Sequence, residues 1–561
     1  MNESPNTTLL RERWPEGAVV YHIYPRSFQD SNGDGVGDLK GIEQRLDYLQ
    51  SLGVTALWLS PFYPSPMADF GYDIADYYDV DELFGTLDDF RSLLTAAHNH
   101  DIKVIIDLVP NHTSDAHQWF IDSSASRDNP KSDWYIWRDA KDHDARGNPI
   151  APNNWLDVLT GHSAWQWNET RGQFYLHSFD VRQPDLNWTN PEVREAFKNI
   201  MRYWLDMGVD GFRVDAVYWL AKDPLLHDDP ENPKYRASED LLYEALLHTK
   251  SCGWPPVYAY LSEMCDVLKE PEFTSKERFM VTEAYPERHN VLSAYLQFYV
   301  GMDPAVAAPF NFEGTALPWE VAPWRDFLSR FHTALDELSP LCVASYAFGN
   351  HDKPRVASRI GVNEARSAAV MLLTLPGMAF IYYGEELGMQ DVAIPIDRVR
   401  DPAALGDPKN GIGRDPERTP MQWSAAENAG FTQGTPWLPI ADDYTSVNVE
   451  TQSLNAQSSL TLYRTLGTLR RDSATLKRGS LSVHSSGCDD VLAYDRALNG
   501  HEQYVTYVNF ADQTRICTIE PNNTLTLVVS SAADTVVPHE SKNSLTLQAH
   551  EAAVFVATTP S

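Results

Sequence analysis

Four short segments of this chain each end a strand-like apolar run with charged or polar residues that a buried strand avoids. They are Asp107-Leu108-Val109-Pro110-Asn111-His112, Gly211-Phe212-Arg213-Val214-Asp215-Ala216, Val281-Thr282-Glu283-Ala284 and Phe348-Gly349-Asn350-His351-Asp352. In this order they supply three acids (Asp215, Glu283 and Asp352), two histidines (His112 and His351) and Arg213. Three carboxyl groups converging on one pocket suit cleavage of a glycosidic bond: one as nucleophile, one as acid/base, and a third that grips sugar hydroxyls or tunes the others. Arg213 and Asp215 stand two apart on one strand and therefore share a face. That spacing predicts a guanidinium beside the carboxylate, keeping Asp215 ionised at neutral pH. Any one segment reads equally well as a buried ion pair or a core histidine. Four in succession point to an enzyme.

Such residues need strands that end together, and the flanking sequence provides them. Thr86-Leu87-Asp88-Asp89 resembles a capping box, and Phe90, Leu93, Leu94 and Ala97 follow at helical spacing before the buried-strand run Ile102 to Ile106. A second unit places Val193, Phe197, Ile200, Met201 and Trp204 on one helix face, stops at Gly208 and continues as the strand Val209 to Val214. A third runs from an Ala365–Leu375 helix through Pro376-Gly377 to the strand Ala379–Tyr383. Repeated helix-then-strand units predict a parallel sheet, and several around one core predict a (β/α)8 TIM barrel, which keeps its chemistry at the carboxyl ends of its strands. The barrel is assigned to residues 1–112 and 187–475. Residues 113–186, rich in Trp, Asn, Asp and Pro, are too long for a structureless loop and predict a small inserted domain after the third strand. Residues 388–437 read as a smaller excursion after the eighth strand. From 476 to 561, short alternating runs such as Tyr504 to Val508 predict a C-terminal antiparallel β-sandwich.

The formal net charge of -33 argues against nucleic acid or an anionic membrane as partner and fits a neutral small molecule. Cys252, Cys265, Cys342, Cys488 and Cys517 are scattered and odd in number, which predicts neither a disulfide framework nor a zinc site and favours a reducing compartment. Met1 to Glu16 is polar, without a secretory apolar stretch, and the apolar passage Ala368 to Tyr383 is broken by Pro376-Gly377. A cytoplasmic protein is expected. The segment Asp30 to Asp38 begins like an EF-hand loop, but Gly41 stands where the twelfth-position glutamate belongs, so an EF-hand is rejected.

The four segments resemble, in order, the four signature regions of the α-amylase superfamily, glycoside hydrolase family thirteen. The resemblance covers nearly the whole chain and implies Asp215 as nucleophile, Glu283 as acid/base with a raised pKa, and Asp352 on the 2- and 3-hydroxyls. It implies His112 on the 6-hydroxyl, His351 and Arg213 among the substrate-binding residues, and Asp107 as a support for Arg213. Gln183-Pro184-Asp185-Leu186-Asn187 and the run Gly413 to Trp423 resemble the α-glucosidase and oligo-1,6-glucosidase branch, as does Gly71-Tyr72-Asp73. In that branch Tyr72 and Phe179 would line the sugar pocket, and Arg414 would pair with Asp73 to close its far end, giving exo attack on one terminal glucose. Ala216, following the nucleophile, leans toward α-1,4 or sucrose-like substrates over α-1,6. The Asp30 loop resembles the branch's structural calcium loop, with Asp30, Asn32, Asp34, the Val36 carbonyl and Asp38 as ligands. The implied activity is a retaining exo-α-glucosidase acting on small α-glucosides, without an organic cofactor. Two rivals are a transglucosylase or isomerase of the same family and, more remotely, a non-catalytic partner protein like the heavy chains of amino-acid transporters.

Overall fold

The computed structural model describes residues 13–238, 240–284, 291–406, 413–519, 524–535 and 537–558. The polar amino-terminal stretch noted above lies outside these up to residue 12. Eight parallel strands form one sheet: β1 (Val19–Ile23), β2 (Ala56–Leu59), β3 (Lys103–Leu108), β4 (Gly211–Val214), β5 (Phe279–Thr282), β6 (Ala307–Pro309), β7 (Ser345–Ala347) and β8 (Met378–Tyr382). Hydrogen-bonded neighbours run β6-β5-β4-β3-β2-β1-β8-β7. Side-chain bonds bridge the remaining seam, where Ser345 Oγ donates to the Pro309 carbonyl at 2.8 Å and accepts the Asn311 N–H at 3.1 Å. The sheet is thereby nearly closed as a barrel. β1 and β8 are buried along their whole length, which is why they read as continuous apolar runs instead of alternating ones.

Local signals set the flanking helices. Thr86 caps the helix Leu87–Asn99 in a reciprocal box with Asp89, and Phe90, Leu93, Leu94 and Ala97 are its buried face. Asn190 caps the helix Pro191–Met207, which Gly208 ends in a left-handed conformation at φ 116°. The chain then enters β4 directly, so this helix fixes where Arg213 and Asp215 emerge.

Between β3 and β4, strands Trp137–Arg138, Gln173–Leu176 and Trp165–Asn168 form a small antiparallel sheet, with a cluster of Trp155, Trp165, Phe174 and Leu176 as its own core. Beyond the barrel, a six-stranded antiparallel sheet and a two-stranded one (Arg515–Thr518 with Ser544–Leu547) share a core that includes Tyr507, Cys517, Leu547 and Phe555. Arg470 and Arg496, both fully buried, hold the barrel's last helices through carbonyl oxygens of Gly17, Leu375 and Thr374.

Candidate active site

The register of the barrel explains the centre. Arg213 lies beside Asp107 on β3 and beside Val281 on β5, so the residues just past each strand, Asp215 and Glu283, flank it. Arg213 Nη1 donates to Asp107 Oδ1 at 2.8 Å and to Asp215 Oδ1 at 2.5 Å, and Nη2 pairs with Glu283 Oε1. Ala216, in a left-handed conformation at φ 48°, aims its N–H at Glu283 Oε2, 2.9 Å away. A non-glycine residue in that region marks strain held at a working site. Asp107 also accepts from Trp58 Nε1 at 3.0 Å and from the Tyr72 hydroxyl at 3.2 Å.

One guanidinium here faces three buried carboxyls, and that ratio overturns the expectation that Arg213 keeps Asp215 ionised. Burial pushes Asp215 well above the usual carboxylate range, and Glu283 and Asp107 add to the rise against Arg213. Asp107 is likewise raised to about 6, by burial. Asp352 goes the other way: the guanidiniums of Arg414 and Arg418 outweigh its burial and hold it well below the ordinary range. The site therefore holds a firmly ionised acid, Asp352, opposite a nucleophile candidate, Asp215, whose carboxyl is pushed up by burial.

Asp215, Glu283 and Asp352 open onto one cavity of about 580 Å³, also lined by Asp69, Tyr72, His112, Phe179, His351 and Arg414. Burial makes His112 and His351 neutral, lowering His112 to about 4 and His351 well below its ordinary value. The Tyr72 ring stacks on His351 with centroids 5.3 Å apart and planes within 4°. Phe179 packs between His112 and Trp219.

Two expected substrate contacts stand elsewhere. Arg213 is fully buried behind the acids, engaged by them, and does not line the cavity. Asp73 does not close the far end: its carboxylate accepts the N–H groups of Ala68 at 2.8 Å and Asp69 at 2.9 Å. Asp69 takes the place expected for Asp73, with Arg414 Nη2 on its Oδ1 at 2.6 Å. Positive φ at Phe70 (49°) and Gly71 (113°) turns the chain between them, so Asp69 faces the cavity while Asp73 ties the turn. Arg414 also reaches Asp401 at 2.9 Å and Asp352 at 3.3 Å, and Arg418 reaches Asp352 at 3.0 Å. Asp69, Asp401, Arg418 and Trp219 went unnoticed in the sequence reading. Gln183 of the fifth region stands 3.1 Å from His112 Nε2 and 3.3 Å from Asp69 Oδ2, orienting both.

The Asp30 loop is knitted by its own donors. Asp30 accepts N–H groups of Asn32, Gly33 and Gly35 at 2.7–2.9 Å and the Thr432 hydroxyl at 2.5 Å. Asp38 accepts the Ser31 N–H and hydroxyl, both at 2.9 Å. Asn32 and Asp34 are exposed, and each accepts one N–H, from Asp34 and Val36 respectively. The donor set is all oxygen and suits a hard cation in type. Among the described residues no three His, Cys, Asp or Glu side chains converge as a ready metal cluster.

Residues 22–479 match the alpha amylase catalytic-domain family. The chain is 40% identical over 543 residues to Maltase 1 of Drosophila virilis, covering 94% of this chain and 84% of that protein. It is 38% identical over 538 residues to an oligo-1,6-glucosidase of Parageobacillus thermoglucosidasius, covering 90% and 91%. Among solved structures, the alpha-glucosyl transfer enzyme XgtA aligns with a TM-score of 0.88 at 36% identity, over 98% of this chain and 100% of that one. The trehalulose synthase MutB of Pseudomonas mesoacidophila MX-45 aligns with a TM-score of 0.84 at 32% identity, over 98% and 100%. Matched from β1 through the helices that follow β8, the chain belongs to the alpha-amylase family of glycoside hydrolases.

Proposed function

We propose that this protein is a retaining, exo-acting α-glucosidase that releases α-glucose from the non-reducing end of small α-glucosides. One observation carries the reading. Asp215 and Glu283 line one cavity and both pair with a single guanidinium, through Nη1 and Nη2 of Arg213, which supports the close spacing of a retaining pair over the wider one that an inverting pair needs for its water. Asp215, as its carboxylate, attacks the anomeric carbon as Glu283 passes a proton to the departing oxygen. Glu283, now a base, draws a proton from water, which displaces Asp215. Asp352, ionised, grips two hydroxyls of the ring, and the Asp69–Arg414 pair closes the far end so that one sugar enters.

Ala216 supports α-1,4 linkages or sucrose over α-1,6. The likeness to XgtA and MutB supports transglucosylation as a competing fate of the glucosyl-enzyme. The partner-protein reading is disfavoured because all three acids remain in place. Supplying maltose, isomaltose, sucrose, trehalose and an aryl α-glucoside, with anomer-resolved NMR of the first product, tests the proposal. Retained α-glucose is expected, and β-glucose as the first product would refute it.

Two further readings are proposals of the same standing. Asp30, Asn32, Asp34, the Val36 carbonyl and Asp38 would hold Ca2+ to pin their loop, tested by whether EDTA lowers the melting temperature. The five free cysteines support a reducing, cytoplasmic setting. Among the described residues no helix is long and apolar enough to cross a membrane.

A further inference from the structure

Beneath the acids, the interior of the barrel holds an indole that does not line the cavity. Trp58 stands on β2, in register with His22 on β1 and Ile105 on β3, so Asp107 lies two residues farther along β3 on the same inward face. Trp58 is fully buried, and its ring lies flat on His22 with centroids 3.5 Å apart and planes within 9°. His22 is held in turn by Ser60 Oγ at 2.9 Å and kept neutral by burial. The indole is thereby clamped in one orientation.

Two groups of the catalytic centre converge on this ring. Its Nε1–H donates to Asp107 Oδ2 at 3.0 Å, and the Arg213 guanidinium carbon lies over its face, 5.1 Å from the centroid. Asp107 and Arg213 bond to each other at 2.8 Å, and Arg213 also holds Asp215 and Glu283. Of the three carboxyls on Arg213, Asp107 alone stays out of the cavity. The groups that face it come from three neighbouring strands. Trp58, the Tyr72 hydroxyl at 3.2 Å and the Tyr63 hydroxyl, which donates to the Asp107 carbonyl at 2.6 Å, belong to β2 and the segment after it. Arg213 and Asp215 come from β4, and Glu283 from the end of β5. Burial lifts Asp107 to about 6, against Arg213 and the Trp58 N–H, which hold it down.

Resting on the glucosidase reading, we propose that Trp58 is a positioning residue for the reaction, whose N–H and ring face keep Asp107 an anion against Arg213 and so set how much positive charge reaches the nucleophile and the acid. With the N–H in place, Asp107 offsets part of the guanidinium charge. Without it, a buried carboxylate oxygen loses a donor, and Asp107 takes up a proton at a pH where it is otherwise ionised. Arg213 then acts more strongly on its two remaining partners. A stronger cation favours the ionised form of each, so the pH at which the nucleophile becomes active and the pH at which the acid is lost both fall.

The test measures kcat and KM on maltose across pH for Trp58→Phe, which keeps a ring against His22 and Arg213 and removes the donor. Both limbs of the kcat/KM profile are expected to move to lower pH by about half a unit. At the parent's optimum kcat is expected to fall about tenfold, from loss of a hydrogen bond to a charged group, while KM stays within about twofold. Asp107→Asn should move both limbs down by about one unit. In that background Trp58→Phe should move them no further, because the route through Asp107 is already cut. A purely structural role would lower the melting temperature and leave both limbs in place. Limbs that stay or rise in Trp58→Phe, or a shift that persists in full beside Asp107→Asn, would overturn the proposal. If Trp58→Phe does not fold, Asp107→Asn decides, and unmoved limbs there would overturn it. Absence of glucose from maltose in the parent protein, or β-glucose as first product, would refute the glucosidase reading instead.

Discussion

At the scale of single residues, the account turns on Asp215 and Glu283, both held by Arg213. Asp215→Asn and Glu283→Gln should each lower kcat on maltose by about a thousandfold or more with unchanged circular dichroism. Donors with good leaving groups need no acid, so Glu283→Gln should recover much of its first-step rate on a nitrophenyl glucoside, and Asp215→Asn should not. A nucleophile that must be ionised and an acid that must be protonated give a bell-shaped profile, so activity should fall at both high and low pH, as kcat/KM measured across pH would record. Asp69 and Asp73 divide along a different line. Asp69→Ala should cut kcat/KM for maltose by about a hundredfold, because it frees Arg414 from its partner at the sugar's end. Asp73→Ala should instead lower the melting temperature, since that carboxylate ties only the turn. The catalytic acids were legible because each stands at the end of an apolar strand run. Choosing between two aspartates four apart was not, because backbone angles at Phe70 and Gly71 decide which one faces the cavity.

At the scale of elements, strands with length or capped helices behind them were legible, as with β3, β4 and β8. β6 and β7 have three residues each, too few for any periodicity, and their seam depends on the Ser345 hydroxyl. The segment after β8 carries a buried cost. Glu385 follows that strand with neither carboxyl oxygen hydrogen-bonded, and burial, only partly opposed by Arg355, pushes it up to about 8. The folded chain therefore holds a proton that the unfolded chain releases at about pH 4.3. Its contribution to stability is complete below that pH and is lost as pH rises through the folded value. Glu385→Gln keeps the neutral form throughout. It should raise the melting temperature by about 2–4 °C near pH 9 and change it little near pH 5, as scanning calorimetry at the two pH values would record.

At the scale of the whole molecule, the surplus of acids, 78 against 45 basic residues, sets a surface that repels itself. Screening should relieve this, so the melting temperature should climb as NaCl is raised from about 0.05 to about 0.5 M, measured by differential scanning fluorimetry. A flat or falling curve would mean that local pairs such as Arg202 with Glu270 and Glu195 already offset the excess. The barrel, the insert after β3 and the terminal antiparallel layers all announced themselves by composition and period. How the loops of the insert and of the post-β4 segment meet over the cavity did not, because contact between residues 161 and 242 leaves no local pattern.

The central claim is that the Asp215 carboxylate forms the bond to glucose while Glu283 moves the proton. The most direct measurement treats the protein with a slowly hydrolysed fluorinated α-glucosyl fluoride and maps the modified peptide by mass spectrometry. A glucosyl adduct on the peptide carrying Asp215, absent in Asp215→Asn, is the predicted result. An adduct on Glu283, or full turnover of ordinary donors by Asp215→Asn, would contradict the account.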